Sequence, residues 1–146
     1  MANTSAMCTS FKQEILVATH NFTASTGNTF KIALYDSDAT LGASTTAYSS
    51  SEEITNTSGT AYTAGGASLT SVTPTTSGTT AYCDFSPDIS WTSASFTANA
   101  ALIYNSSASN KAVAAIAFGG DKTVTNGTFT IQFPTADASD AIIRIA

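Results

Sequence analysis

The stretch TFKIALY, from Thr29 to Tyr35, alternates strictly: Phe30, Ile32 and Leu34 point one way, Lys31 and Ala33 the other. A period of two marks a strand with one buried face. Strand-like segments then recur at short intervals, over Ser68–Thr73, Thr79–Phe85, Ser93–Thr97, Ala100–Tyr104, Lys111–Phe118, Thr128–Phe133 and Ala141–Ile145. Repeated short strands separated by turn residues describe a sandwich or barrel. The expectation is an all-β chain, a single antiparallel β-sandwich of jelly-roll or Ig-like type filling residues 1–146, with one short N-terminal helix.

Composition supports this. Only 10% of the 146 residues are charged and roughly a third are Ser or Thr. Threonine favours strands, and sparse charge leaves few i,i+4 pairs to hold surface helices. The helix falls in SFKQEILVATH, about residues 11–19, where Ser10 and Gln13 read as a capping box and His20 as a cation at the helix C-terminus. ALIY (Ala101–Tyr104) and AVAAIAF (Ala112–Phe118) are apolar on both faces, which makes them central strands. Ile103, Ala115, Ile116 and Phe118 are the expected core. Asn126-Gly127 reads as a tight hairpin turn.

The net charge is −5, and five scattered cations make no basic stripe, so nucleic acid is not an expected partner. No run of about 18 apolar residues suggests a membrane span, and the first ten residues lack a secretion signal. Synthesis in the cytoplasm, with Cys8 and Cys83 as free thiols, is the expectation.

Chemistry is hard to place. His20 is the only histidine and has no nucleophile elbow to accompany it. The carboxylate pairs Asp36/Asp38, Glu52/Glu53, Asp84/Asp88 and Asp137/Asp140 all fall in expected turns, where aspartate caps its own backbone. Asp36-Ser37-Asp38 resembles the start of a calcium loop, but Gly42 comes one position late and no glutamate closes it. No catalytic residue, cofactor or metal site is assigned. Trp91, with Tyr82, Phe85 and Phe96, could stack a sugar, but aromatic clusters more often build a core or a subunit interface.

The glycine-rich GTAYTAGGASL, Gly59 to Leu69, carries no acid, base or thiol. Its density of glycine calls for positive φ at Gly65 or Gly66, with Tyr62 and Leu69 anchoring the loop to a core. The wider pattern T-x-Y-x(4)-E-x(5)-G-x-x-Y-x-x-G-G-x-x-L is read on Thr46, Tyr48, Glu53, Gly59, Tyr62, Gly65, Gly66 and Leu69. WTSASFTA (Trp91–Ala98) and ALIYN (Ala101–Asn105) follow it. Together with the opening SFKQEILVATHNF and FKIALY and the closing FTIQFPTADASDAIIRIA, these segments resemble small virion structural proteins of tailed bacteriophages across nearly the whole chain. One departure is Asn99, where a small or basic residue is expected ahead of ALIYN.

The resemblance implies a capsid decoration or cement protein on the outer head surface. Its partners would be the major capsid protein and copies of itself, as a trimer or other homo-oligomer. Two other readings are a tail, neck or baseplate component, and a carbohydrate-binding module of a phage fibre that takes host glycans through Trp91. The expected interface residues are Trp91 and the C-terminal Ile142, Ile143, Arg144 and Ile145. In that reading one terminus completes the sandwich and the other reaches a neighbour.

Overall fold

A computed structural model describes residues 2–55, 57 and 61–146; Gly59 and Asn56 therefore lie outside the described residues. The described chain is mostly strand, in two antiparallel sheets with one short helix, a sandwich-like all-β fold. In chain order the elements are β1 (Ala6–Met7), α1 (Thr9–Leu16), β2 (Phe30–Tyr35), β3 (Ala67–Ser68), β4 (Ser71–Ser77), β5 (Thr80–Phe85), β6 (Ile89–Asn105), β7 (Lys111–Ile131) and β8 (Ile143–Ile145). The larger sheet runs β1-β7-β6-β2-β3, and the smaller β4-β5-β8. Pro74 sits in β4, an edge strand, at a break in register between Val72 and Thr75, where its missing N–H costs no ladder bond.

The backbone of the fold is the β6–β7 hairpin. Four of the strands expected from sequence are two long ones: Ser93–Thr97 and Ala100–Tyr104 both lie in β6, while Lys111–Phe118 and Thr128–Phe133 largely share β7. The residues that looked like turns are bulges. Ser93, at φ 53°, lies in a bulge between the pairs Trp91–Phe129 and Ala94–Gly127, and Gly119, Gly120 and Asn126 also have positive φ where the register shifts. A bulge absorbs turn-forming residues without ending the strand. Asn126-Gly127 is thus no hairpin turn; Gly127 pairs with Ala94 inside the ladder. The hairpin reverses at residues 106–110, where Ser109 and Asn110 are left-handed.

β2 lies along the proximal half of β6, from Phe30 opposite Asn105 to Tyr35 opposite Ala100. Its alternation is visible in the packing, but it is covered on both faces: Phe30, Ile32, Ala33 and Leu34 are all fully buried. Ala100 to Tyr104 and Ala112, Val113 and Ala115 are buried beside it. The expected core needs one correction. Ile103 and Ala115 are buried, whereas Ile116 and Phe118 are only half-buried, on the part of β7 beyond its pairing with β1. Ile103→Ala should therefore cost about 2 to 5 kcal/mol through lost burial and an unfilled cavity. Ile116→Ala should cost about 1 kcal/mol. Urea denaturation of the two variants checks the difference, and equal losses would contradict this packing.

The helix also differs from expectation. It starts at Thr9 rather than near Phe11 and ends at Leu16, and its N-cap is Cys8, without a side-chain cap bond. Ser10 lies inside the helix and its hydroxyl is buried without a partner, so the capping box does not form. Both terminal segments are stitched in: β1 pairs with β7, and β8 with Ala81, Tyr82 and Cys83 of β5. Neither reaches out as a free arm.

Candidate functional site

Three residues of the T-x-Y…G-G-x-x-L pattern, Tyr48, Tyr62 and Gly65, converge on the carboxylate of a fourth, Glu53. Segment 52–54 runs beside β2, with the Asp36 amide donating to the Glu52 carbonyl at 3.1 Å and the Ile54 amide to that of Leu34 at 3.1 Å. This carries Glu53 under the sheet edge, where it is buried. Its Oε1 accepts from the Tyr62 hydroxyl at 2.6 Å and the Gly65 amide at 2.7 Å, and its Oε2 from the Tyr48 hydroxyl at 2.7 Å. The Tyr62 hydroxyl in turn accepts from the Leu34 amide at 2.9 Å. The Tyr104 hydroxyl donates to the Gly65 carbonyl at 2.7 Å, and the Tyr48 and Tyr104 rings stack at 4.7 Å. A buried carboxylate is tolerated when charge-assisted hydrogen bonds replace its water.

Burial, and then Glu53, push the Tyr48 and Tyr62 hydroxyls well above the ordinary tyrosine range, so both stay donors. The glycines complete the clamp. Gly65 and Gly66 both have positive φ, +88° and +74°, and Gly66 lies against the backbone of Ile32 and Ala33. Tyr62 and Leu69 are buried on either side of the turn, and the Leu69 amide bonds to the Phe30 carbonyl at 2.8 Å. The arrangement holds a loop on a sheet edge and presents no open nucleophile.

Glu53 thus departs from the solvated-turn expectation, and so does Asp84. The latter lies on β5, buried, accepting from the Phe85 amide at 2.7 Å and the Ile142 amide at 3.3 Å; burial pushes its carboxyl up. Asp137 and Asp36 do cap their own turns, the latter accepting from the Asp38 amide at 2.9 Å. Glu52 joins Asp36 and Asp38, with one oxygen from each lying within 4.8 Å of the others. These three are where a cation would find ligands, on a largely exposed turn.

A cavity of about 190 Å³ opens between α1 and the smaller sheet, walled by Phe11, Phe22, Pro74, Cys83, Ile143 and Ile145 among others, with His20 at its side. His20 and Cys83 cannot work there as a nucleophilic pair. Both imidazole nitrogens are engaged, with Glu14 at 2.7 Å and Asn105 at 3.0 Å, and burial pushes the Cys83 thiol up to about 12. A thiol so far from ionisation is a poor nucleophile. Cys8 and Cys83 are free and buried, and burial raises Cys8 to about 11. His20 is not the helix-terminal cation expected; it folds back onto Glu14. Burial would push that carboxyl up, but bonds from Lys111 at 2.7 Å and from His20 outweigh it and hold Glu14 below the usual range.

The other expected interface residues separate. Trp91 is 5% exposed and packs on Tyr62, Phe96 and Phe129, so it serves the core and cannot stack a sugar. Ile143 is buried and Ile142 half-buried, while Arg144 and Ile145 face solvent. Among the described residues, the exposed large hydrophobic ones are Leu16 at 84%, Val17 at 62% and Ile145 at 57%. The sequence offered no signal for the first two beyond their place at the helix end. Asn99 has a partner on each side: it accepts from the Asn3 amide at 2.9 Å and donates to Asp121 at 2.9 Å, tying the N-terminal segment to β7.

No protein-family model, curated protein or solved structure matches this chain.

Proposed function

We propose that the chain is a structural protein of a bacteriophage virion, a decoration or cement protein seated on the outer surface of the head with the major capsid protein and copies of itself as partners. The observation that carries this reading is where the residues of the phage-like pattern go. Tyr48, Glu53, Tyr62, Gly65 and Leu69 are spent on holding one loop to a sheet edge, so the pattern describes a scaffold rather than a reaction. The net charge of −5 also argues against an inward-facing role on packaged DNA. Contact with the shell would fall to Leu16, Val17 and Ile145, which are apolar and outside the core. A protein that binds only the mature shell stabilises it by mass action, a few kcal/mol per site repeated over many sites.

The test is copy number in purified particles, followed by rebinding to heads stripped of the protein. Abundance near that of the major capsid protein is expected, with loss of rebinding in the combined Leu16→Ser, Val17→Ser, Ile145→Ser variant. A few copies per particle would move the protein to the tail or neck. Absence from particles would end the virion reading.

A further inference from the structure

Buried groups that the clamp does not use gather around His20. Its side chain is fully enclosed, among the rings of Phe11, Phe22 and Phe30. From α1, Glu14 Oε2 meets Nε2 at 2.7 Å; from the end of β6, Asn105 Nδ2 meets Nδ1 at 3.0 Å. The orientation of the Asn105 amide is fixed by its other partners. Its oxygen accepts from the Ser107 amide at 3.0 Å, and its nitrogen also donates to Asn28 Oδ1 at 2.9 Å. An amide nitrogen donates only, so Nδ1 must present a lone pair and the proton of a neutral imidazole must sit on Nε2, directed at Glu14. Among the described residues, the other titratable groups nearby are Lys111 of β7, already matched to Glu14 at 2.7 Å, the Cys8 thiol, which feels Glu14, and Tyr82 and Cys83 on β5, which share the cavity wall. Glu14 and Lys111 cancel, so the pocket is neutral without a second proton on the ring.

We propose that His20 is a proton-responsive latch joining the connection between α1 and β2 to the turn between β6 and β7. A proton on Nδ1 places two donors face to face and breaks the bond to Asn105. The amide can turn its oxygen towards the ring only by abandoning the Ser107 amide and Asn28 together. Those bonds hold more than themselves. Asn28 Oδ1 also accepts from the Asn21 amide at 2.8 Å, the Thr29 amide donates to Ser107 Oγ at 2.8 Å, and the Ser106 amide to the Thr29 carbonyl at 2.9 Å. The latch is therefore closed with neutral His20 and opens when the ring takes up a second proton. It concerns this end of the sheet whether or not the chain decorates a capsid.

The experiment is nitrogen-15 and amide-exchange NMR on the intact protein between pH 8 and pH 5. The ring should show a protonated Nε2 and a bare Nδ1 at pH 8. On acidification the Ser107 and Thr29 amides should lose protection by about tenfold more than the Ile32 amide in β2, after correction for intrinsic exchange. An Nδ1–H tautomer at pH 8 would overturn the proposal, as would a ring that protonates while Ser107 stays fully protected. Asn105→Asp offers an acceptor to a protonated Nδ1, so its pH response should vanish; an unchanged response in that variant would also overturn the latch. Should that variant not fold, the wild-type titration decides alone.

Discussion

Gly66→Val is expected to leave no folded protein, while Gly65→Ala should cost only about 1 to 2 kcal/mol, although the two glycines are adjacent and both have positive φ. The difference lies in what a side chain would meet. At Gly65 a methyl group would touch the end of Lys31 at 3.4 Å and the Tyr104 hydroxyl at 3.5 Å, ordinary contacts with groups that can move, so the cost is backbone strain. At Gly66 it would be driven into the carbonyl of Ile32 and the Cα of Ala33. Neither can retreat, because both residues are fully buried and paired with Ile103 and Leu102 of β6. Even Gly66→Ala should lose more than about 4 kcal/mol, a large part of a typical domain's stability. Valine adds β-branching to the clash. Thermal unfolding followed by circular dichroism checks this, and equal tolerance at the two positions would contradict the close approach of the loop to β2.

Glu53→Ala should be nearly as damaging, at about 3 to 5 kcal/mol, because it strands the Tyr48 and Tyr62 hydroxyls and the Gly65 amide at once. Glu53→Gln should recover part of this, since its oxygen can serve the donors on one side while its amide nitrogen opposes the donor on the other. Tyr48→Phe should cost about 1 kcal/mol, and much less in the Glu53→Ala background, since the two residues share one bond. Denaturant titration of the single and double variants gives the coupling. A loss below about 1 kcal/mol for Glu53→Ala would show the carboxylate to be hydrated rather than clamped.

Much of the fold could be read in the chain where local pattern and tertiary packing agree. The alternation of FKIALY and the two-sided apolar character of ALIY put β2 and the proximal part of β6 in the core, and both are there. Strand ends were harder to read. Ser93, Gly119, Gly120 and Asn126 are chemically turn residues, and a bulge uses the same left-handed conformations as a turn, so one long hairpin looked like several short strands. The helix starts ahead of its capping signal because Cys8 occupies the cap while Ser10, with the better capping chemistry, lies inside.

The loop anchors Tyr62 and Leu69 were legible as apolar residues flanking glycines. Glu53 was not, since adjacent Glu52 and Glu53 look alike in sequence and only the fold sends one to solvent and the other beneath the sheet. A signal was nonetheless present. In a chain with 10% charged residues, an acid set among Tyr48 and Tyr62 is a candidate for burial with phenolic donors.

The long hairpin also imposes an order of assembly. β6 and β7 meet across a five-residue reversal at 106–110, so their ladder can zip from a cheap local closure. Joining β2 to them, Phe30 against Asn105, closes a loop of more than half the chain and must wait until the hairpin offers a surface able to offset that entropy. The transition state for folding should therefore be polarised, with β6 and β7 already paired while β1 and β8 at the chain ends remain unformed. The same hierarchy leaves those two short end strands as the first to fray, so a nascent or partly opened chain keeps its central ribbon intact while its margins come and go.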